Sequence, residues 1–254
     1  MCLYPVQFAA TLQSCAAELE KRKIFPSVIL PQARPLSKGE VLGCTSPKIP
    51  ENTDLIIFLG DGRFHIESAM IQNARVPILR YDPYDKSFTR EKYAHVDMRE
   101  TRKLAINKAI STRKNGNPIW GVLLSTLGRQ GNPKILETIE KSAVERNIVL
   151  VPILVSEITP AKLSLYDDIE VFIQIGCPRL SIDWGPDTVP KPLLTPYESM
   201  IALETIDKPA WFETPSNLNE KYPMDFYSND SLGPWTNNHE SNRPKRRTKK
   251  VIKL

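Results

Sequence analysis

Short apolar runs alternate along this chain with segments whose apolar positions recur at three- and four-residue spacing, the signature of strands feeding helices in an α/β fold. Residues 5–22 place Phe8, Leu12, Cys15, Ala16 and Leu19 on one helical face. Residues 25–30 (FPSVIL) read as a short strand, followed by a loop rich in Pro, Ser and Gly that contains Cys44. Asp54–Leu59 is too short and too apolar for a helix and predicts a strand covered on both faces. A helix over Ile66–Asn73 and a strand over Val76–Tyr81 follow, then a long charged helix over Thr89–Arg113 with a sparse apolar stripe, broken at NGNP (115–118). A second series holds strands at Trp120–Ser125, Ile148–Val155 and Val171–Ile175. Its helices span Lys134–Arg146, with Asn132 as N-cap and Pro133 in the first turn, and Pro160–Leu165. Thr195, Pro196 and Glu198 spell a capping box opening a helix to Leu203; beyond Glu204 the periodicity dissolves.

The pattern therefore predicts an α/β protein of parallel sheets flanked by helices. Residues 1–88 form one unit, 89–117 a connecting helix, 118–205 a complete C-terminal α/β domain and 206–254 an irregular tail. The 254 residues, 41% of them hydrophobic, suffice for one large or two modest cores. No apolar run approaches the roughly 20 residues of a membrane helix, and the first residues lack a basic signal-like region, so the expectation is a cytoplasmic protein with no membrane partner. Four widely spaced cysteines (Cys2, Cys15, Cys44, Cys177) argue for reduced thiols. Seven basic residues crowd into 243–254; the remainder carries 27 basic against 29 acidic residues. The basic end is a solvated tail or a weak nonspecific attractor, and no interleaved aromatic and basic pattern marks a specific nucleic-acid surface.

Chemistry gathers where strands end. Strand carboxyl ends in a parallel sheet open on one rim, where ligands bind. After the first central strand stands GDGRFH, with Asp61, Gly62, Arg63 and His65; His65 reads as a substrate contact or a structural residue, with a chemical role as the minority reading. RYDPY follows with Arg80 and Asp82. The turn Gly128, Arg129, Gln130, Gly131 matches neither a P-loop nor a dinucleotide fingerprint, and its amides are expected to face an anion. Ser156 and Glu157 come next. Cys177 then sits where a strand stops at Gly176, ahead of Arg179, Ser181 and Asp183. It reads either as a structural cysteine beside an ion pair or as a soft ligand. Cys44, in GCTSP, has no second Cys or His at ligand spacing and reads as a structural or merely positioned thiol. Arginines and carboxylates together suit a zwitterionic ligand.

The motifs VLGCTSP, FLGDGRFHIESAMI, RYDPY, LSTLGRQGNPKILE, SEITPAKLSL, IQIGCPRLSIDWG, KPLLTPYE and YPMDFYSNDSLGPW resemble the subunit 1 family of 2-(3-amino-3-carboxypropyl)histidine synthase, the first enzyme of diphthamide biosynthesis. The likeness runs to about residue 237. It implies three α/β domains that each give one cysteine to a 4Fe-4S cluster. It also implies S-adenosylmethionine as co-substrate and radical transfer of its 3-amino-3-carboxypropyl group to a histidine of elongation factor 2. The implied partners are a sister subunit 2, in a heterodimer, and an electron-donor protein. On that resemblance Cys177 is the third-domain cluster ligand, and the rim residues above surround S-adenosylmethionine, Arg179 and Asp183 nearest the iron. The chain opens at a point resembling the late middle domain. It reads as an N-terminally truncated member, lacking the other two cysteine ligands and incomplete for catalysis, or alternatively as a non-catalytic module that docks to the sister subunit or elongation factor 2.

Overall fold

The structure, a computed structural model, describes residues 1–128, 130–184 and 191–242. Its first sheet runs in the order β1 (Cys2–Leu3), β2 (Ile56–Leu59), β3 (Ile78–Asp82), β4 (Ser87–Glu91). The first three strands are parallel and β4 returns antiparallel. β2 is apolar on both sides because both are covered. Ile56 and Phe58 join one core cluster, while Leu59 and Ile57 pack with Leu12 of helix α1 (Ala9–Lys21) in another. Helix α2 (Phe64–Gln72) follows β2. Residues 89–91, expected to open the long helix, belong to β4 instead: Ser87, Thr89 and Glu91 are half-buried and Phe88 and Arg90 exposed, a period of two. Residues 25–30 form no strand; Pro26 lacks a donor, and a backbone bond from Cys2 to Ile29 (3.0 Å) ties the segment to β1.

Helix α3 (His95–Thr112) leads to the second sheet, whose strands in chain order are β5 (Ile119–Ser125), β6 (Val149–Val155), β7 (Val171–Ile175) and β8 (Leu193–Leu194). Their spatial order is β6-β5-β7-β8, all parallel. All five residues of β7 are buried. β6 is equally apolar but stands at the edge, with Leu154 70% exposed. Helix α4 (Pro133–Val144) begins at the predicted cap, the Asn132 side chain accepting from Lys134 N at 2.9 Å. The short helices α5 (Pro160–Leu163) and α6 (Arg179–Asp183) precede and follow β7. Helix α7 (Pro196–Ala202) opens with both bonds of the capping box, Thr195 N to Glu198 Oε2 (2.8 Å) and Glu198 N to Thr195 Oγ1 (3.2 Å).

The sparse stripe of α3 has a cause: two of its inward positions are arginines. Arg102 donates to both oxygens of Glu198 (2.6 and 2.8 Å) and to the carbonyls of Ser181 and Leu193. Arg99 donates to the carbonyls of Pro215, Asn217 and Glu220. Together they fasten α3 to α7, to β8 and to the segment beyond residue 206. Its described part, to residue 242, is irregular apart from α8 (Ala210–Glu213) and a 3-10 turn at Glu240–Asn242, yet it is packed. Trp211, Phe212, Tyr222 and Met224 share the main core with Trp120, Ile173 and Ile201, and Tyr222 donates to Glu198 at 2.6 Å.

Candidate functional site

In the second sheet the chain leaves β5 for β6 on one side and returns to β7 on the other, so the carboxyl ends of β5 and β7 flank the crevice where such sheets take ligands. Gly176 and Cys177 lie there. A Cβ on Gly176 would come within 3.0 Å of Gln174 Oε1 and 3.3 Å of Ser125 Cβ, so the two strand ends approach closely because that residue has no side chain. Gln174, fully buried, donates to the carbonyl of Cys177 (2.9 Å) and to Ser181 Oγ (3.1 Å), which fixes the turn around the half-buried thiol. Burial pushes the Cys177 thiol pKa up, against the pull of the Arg179 backbone amide and guanidinium.

Cys44 reaches the same place from the first unit. Desolvation pushes its thiol up to about 12, and the neighbouring Cys177 acts in the same direction. Both sulfurs also act on the Tyr227 hydroxyl, which burial raises to about 12. A cavity of about 20 Å³, large enough for about one water, is lined by Cys44 and Pro178 together. The sequence separation of the two cysteines hid this pairing; GCTSP and GCPR, two Gly-Cys steps each ahead of a proline or a hydroxyl, were the available signal. Cys44 is thus an electrostatic neighbour of Cys177, a proximity that the lack of a second Cys or His at ligand spacing did not reveal.

Helix α2 lies between the two cysteine loops. Ser68 Oγ donates to the carbonyl of Leu42 (2.5 Å), and the Phe64 ring lies so close over Gly43 that an added Cβ would fall 2.0 Å from it. On the other side Arg179 donates to Phe64 O (2.7 Å) and Glu67 Oε2 (2.5 Å), and its guanidinium stands over the Phe64 ring at 4.8 Å.

The rim arginines Arg63, Arg80 and Arg179 pair with carboxylates of the protein. Asp82, Arg80, Glu91, Arg63, Glu67, Arg179 and Asp183 form one alternating chain. Arg80 reaches Asp82 (3.0 Å) and Glu91 (2.9 Å), Arg63 reaches Glu91 and Glu67 (3.2 Å), and Arg179 reaches Glu67 and Asp183 (2.8 Å). Burial disfavours the charge on Arg179, but Asp183 and Glu67 outweigh it and its pKa is raised. Burial likewise works upward on Glu91, where the Thr89 hydroxyl and Arg80 prevail and hold it below the usual range. His65 is drawn down, chiefly by burial, between Asp61 and Arg179. Asp61 accepts from Gln7 Nε2 at 3.0 Å and Gly62 is left-handed (φ +61°). Of these residues only Arg179 and Asp183 act directly on the Cys177 thiol, and Gln174 ties Ser181 to the same turn. Glu67 and Arg63 reach it through Arg179, and Arg80 and Asp82 stand at the far end of the ion-pair chain.

Other predicted rim residues stand further off. Glu157 pairs with Lys162 (3.2 Å) in its own loop beside Ser156, and β5 separates them from β7. Gly128 is left-handed (φ +58°) and Gly131 packs on Ser125 O, while Ser125 Oγ donates to Gln130 Oε1 (3.3 Å). The expected anion cradle is partly closed by its own bonds: Gln130 N donates to Leu127 O and Leu127 N to Ser125 Oγ (both 3.3 Å). Arg129 and the basic end 243–254 lie outside the described residues. Among the described residues no helix is long and apolar enough to cross a membrane, and no group of three or more His, Cys, Asp or Glu side chains is arranged to hold a metal.

Known proteins resemble this chain over most of its length. The family model described as "Putative diphthamide synthesis protein" matches residues 1–214. The mouse protein named 2-(3-amino-3-carboxypropyl)histidine synthase subunit 1 is 48% identical over 95% of this chain and 51% of its own length; the human protein of that name is 49% identical over 94% of this chain and 50% of its own. Among solved structures, Dph2 from Pyrococcus horikoshii with a 4Fe-4S cluster aligns with a TM-score of 0.64 at 25% identity, covering 81% of this chain and 57% of that one. The chain spans about half the length of the curated relatives it matches. With a family model covering most of it, close agreement with the subunit 1 sequences and a shared parallel α/β architecture, the chain belongs to the diphthamide synthesis protein family.

Proposed function

We propose that this chain is the thiol-bearing part of a 2-(3-amino-3-carboxypropyl)histidine synthase subunit 1. In the complete synthase it serves transfer of the 3-amino-3-carboxypropyl group from S-adenosylmethionine to a histidine of elongation factor 2, the first step of diphthamide biosynthesis. The observation that carries this reading is the nearness of Cys44 to the Cys177 turn: the two thiols act on each other's charge, and Cys44 lines one small cavity with Pro178, the residue after Cys177. Iron–sulfur clusters normally take three or four thiolates. Cys44 and Cys177 fit as two of them, so this reading leaves one thiolate to be supplied where the resemblance implied that two were missing. The described residues offer no third at the site, and a further thiolate, from outside them, completes the set. The cluster, when bound, supplies the electron that cleaves the sulfonium co-substrate. The chain's own residues hold the two sulfurs at a desolvated junction, keep Arg179 between Glu67 and Asp183, and present a neutral His65 beside them.

The sister subunit, an electron-donor protein and elongation factor 2 are the partners of this reading. A second reading, a docking module without catalysis, draws on the exposed apolar edge of β6, where Val149, Val151 and Leu154 face outward. Anaerobic reconstitution distinguishes them. Iron and sulfide are measured on the chain alone and with the sister subunit, for the parent, Cys44→Ala and Cys177→Ala. Iron retained by the parent and lost in both variants is the expected result. Binding of the sister subunit with no iron, or iron indifferent to both substitutions, sinks the transferase assignment.

A further inference from the structure

We propose that α2 sets the separation of the two thiols, and that Glu67 is the positioning residue for Cys177 as Ser68 is for Cys44. The inference rests on the reading of the paired thiols above and names what fixes their spacing. Two consecutive residues of one helix reach opposite ways. Ser68 Oγ donates to Leu42 O, two residues before Cys44, and Glu67 Oε2 accepts from Arg179, two residues after Cys177.

The geometry between them leaves little slack. The Phe64 ring fills the space over Gly43 on one side and underlies the Arg179 guanidinium on the other, while its carbonyl accepts a second bond from Arg179. Arg179 is 3% exposed, and Asp183 holds its Nε from within α6, so the guanidinium is fixed at three of its donors. Glu67 is itself held by Arg63, which reaches back to β4 through Glu91. The chain of charges is therefore a strut from the first sheet to the Cys177 turn. Its middle rung is Glu67, the carboxylate shared by Arg63 and Arg179.

Chelation by two thiols depends on their spacing, because the second sulfur acts at an effective concentration set by geometry. The probe is cadmium ion: Cd²⁺ displaces one proton from each of two thiols and forms two Cd–S bonds, read by the thiolate-to-metal charge-transfer absorbance per bound metal. The full chain is used with Cys15→Ala, since Cys2 and Cys15 are a second pair of electrostatic neighbours. The expected parent signal is that of two thiolates, halved by Cys44→Ala or Cys177→Ala. Glu67→Gln is expected to weaken cadmium binding at least about tenfold and to lower the band toward one thiolate. Glu18→Gln, which breaks an exposed pair with Arg22, is expected to change neither. Ser68→Ala tests the same strut from the Cys44 side without altering charge, and decides the matter should Glu67→Gln fail to fold. Parent-like affinity and band in the folded variants overturn the positioning role. A parent with no two-thiolate band overturns instead the paired-thiol reading.

Discussion

At Cys44 the thiol is held up to about 12 by burial, so the folded chain keeps a proton there that an unfolded chain releases near pH 9. Between those values the unfolded state binds fewer protons, and stability falls as pH rises, by at most about 1.4 kcal/mol per pH unit from this group. Denaturant melts from pH 8 to 11 should show that decline, and Cys44→Ala should flatten it. His95 gives the opposite slope. Its ring, packed 5.1 Å from Tyr93, is drawn down to about 4, chiefly by burial and further by Arg99. The unfolded state takes up a proton near pH 6.5 that the folded state refuses, so stability is lost as pH falls from 6.5 toward 4. His95→Gln should remove that acid-side loss in the same melts.

Among the elements, α7 is the best specified locally. Its capping box, its proline in the first turn and its complete burial coincide, and Glu198 serves both the cap and Arg102. Thr195→Ala removes the cap bond at a 3% exposed position and is expected to cost about 1–2 kcal/mol in chemical denaturation. β6 marks the limit of reading elements from composition. Its apolar run VLVPILV suits a strand covered on both faces, yet only β5 pairs with it, and Pro152 sits in its ladder as an edge strand allows. α3 erred the other way. Its inward arginines look like surface residues in sequence, because only tertiary structure supplies the carbonyls and the carboxylate that neutralise their burial.

Across the whole molecule, one buried ion pair joins α3, α7 and the segment beyond residue 206. Arg102→Met strands a fully buried Glu198 carboxylate that then keeps only Tyr222 and the cap, and is expected to cost about 3–5 kcal/mol. The double variant Arg102→Met/Glu198→Gln should lose less than the sum of the two single changes, as a double-mutant cycle by thermal or denaturant melting will show. By itself the sequence determined the alternation of strands and helices, the caps at Asn132 and Thr195, and the strand-end position of Cys177, because periodicity and capping are set by neighbours a few residues away. Only the tertiary structure decided that Cys44 neighbours Cys177, that Arg63, Arg80 and Arg179 pair with the protein's own carboxylates, and that Trp211, Phe212, Tyr222 and Met224 of the irregular segment after residue 206 join the core. Those outcomes depend on which remote groups come together when the helices and the later segment pack between the two sheets' units, and linear spacing holds no record of that.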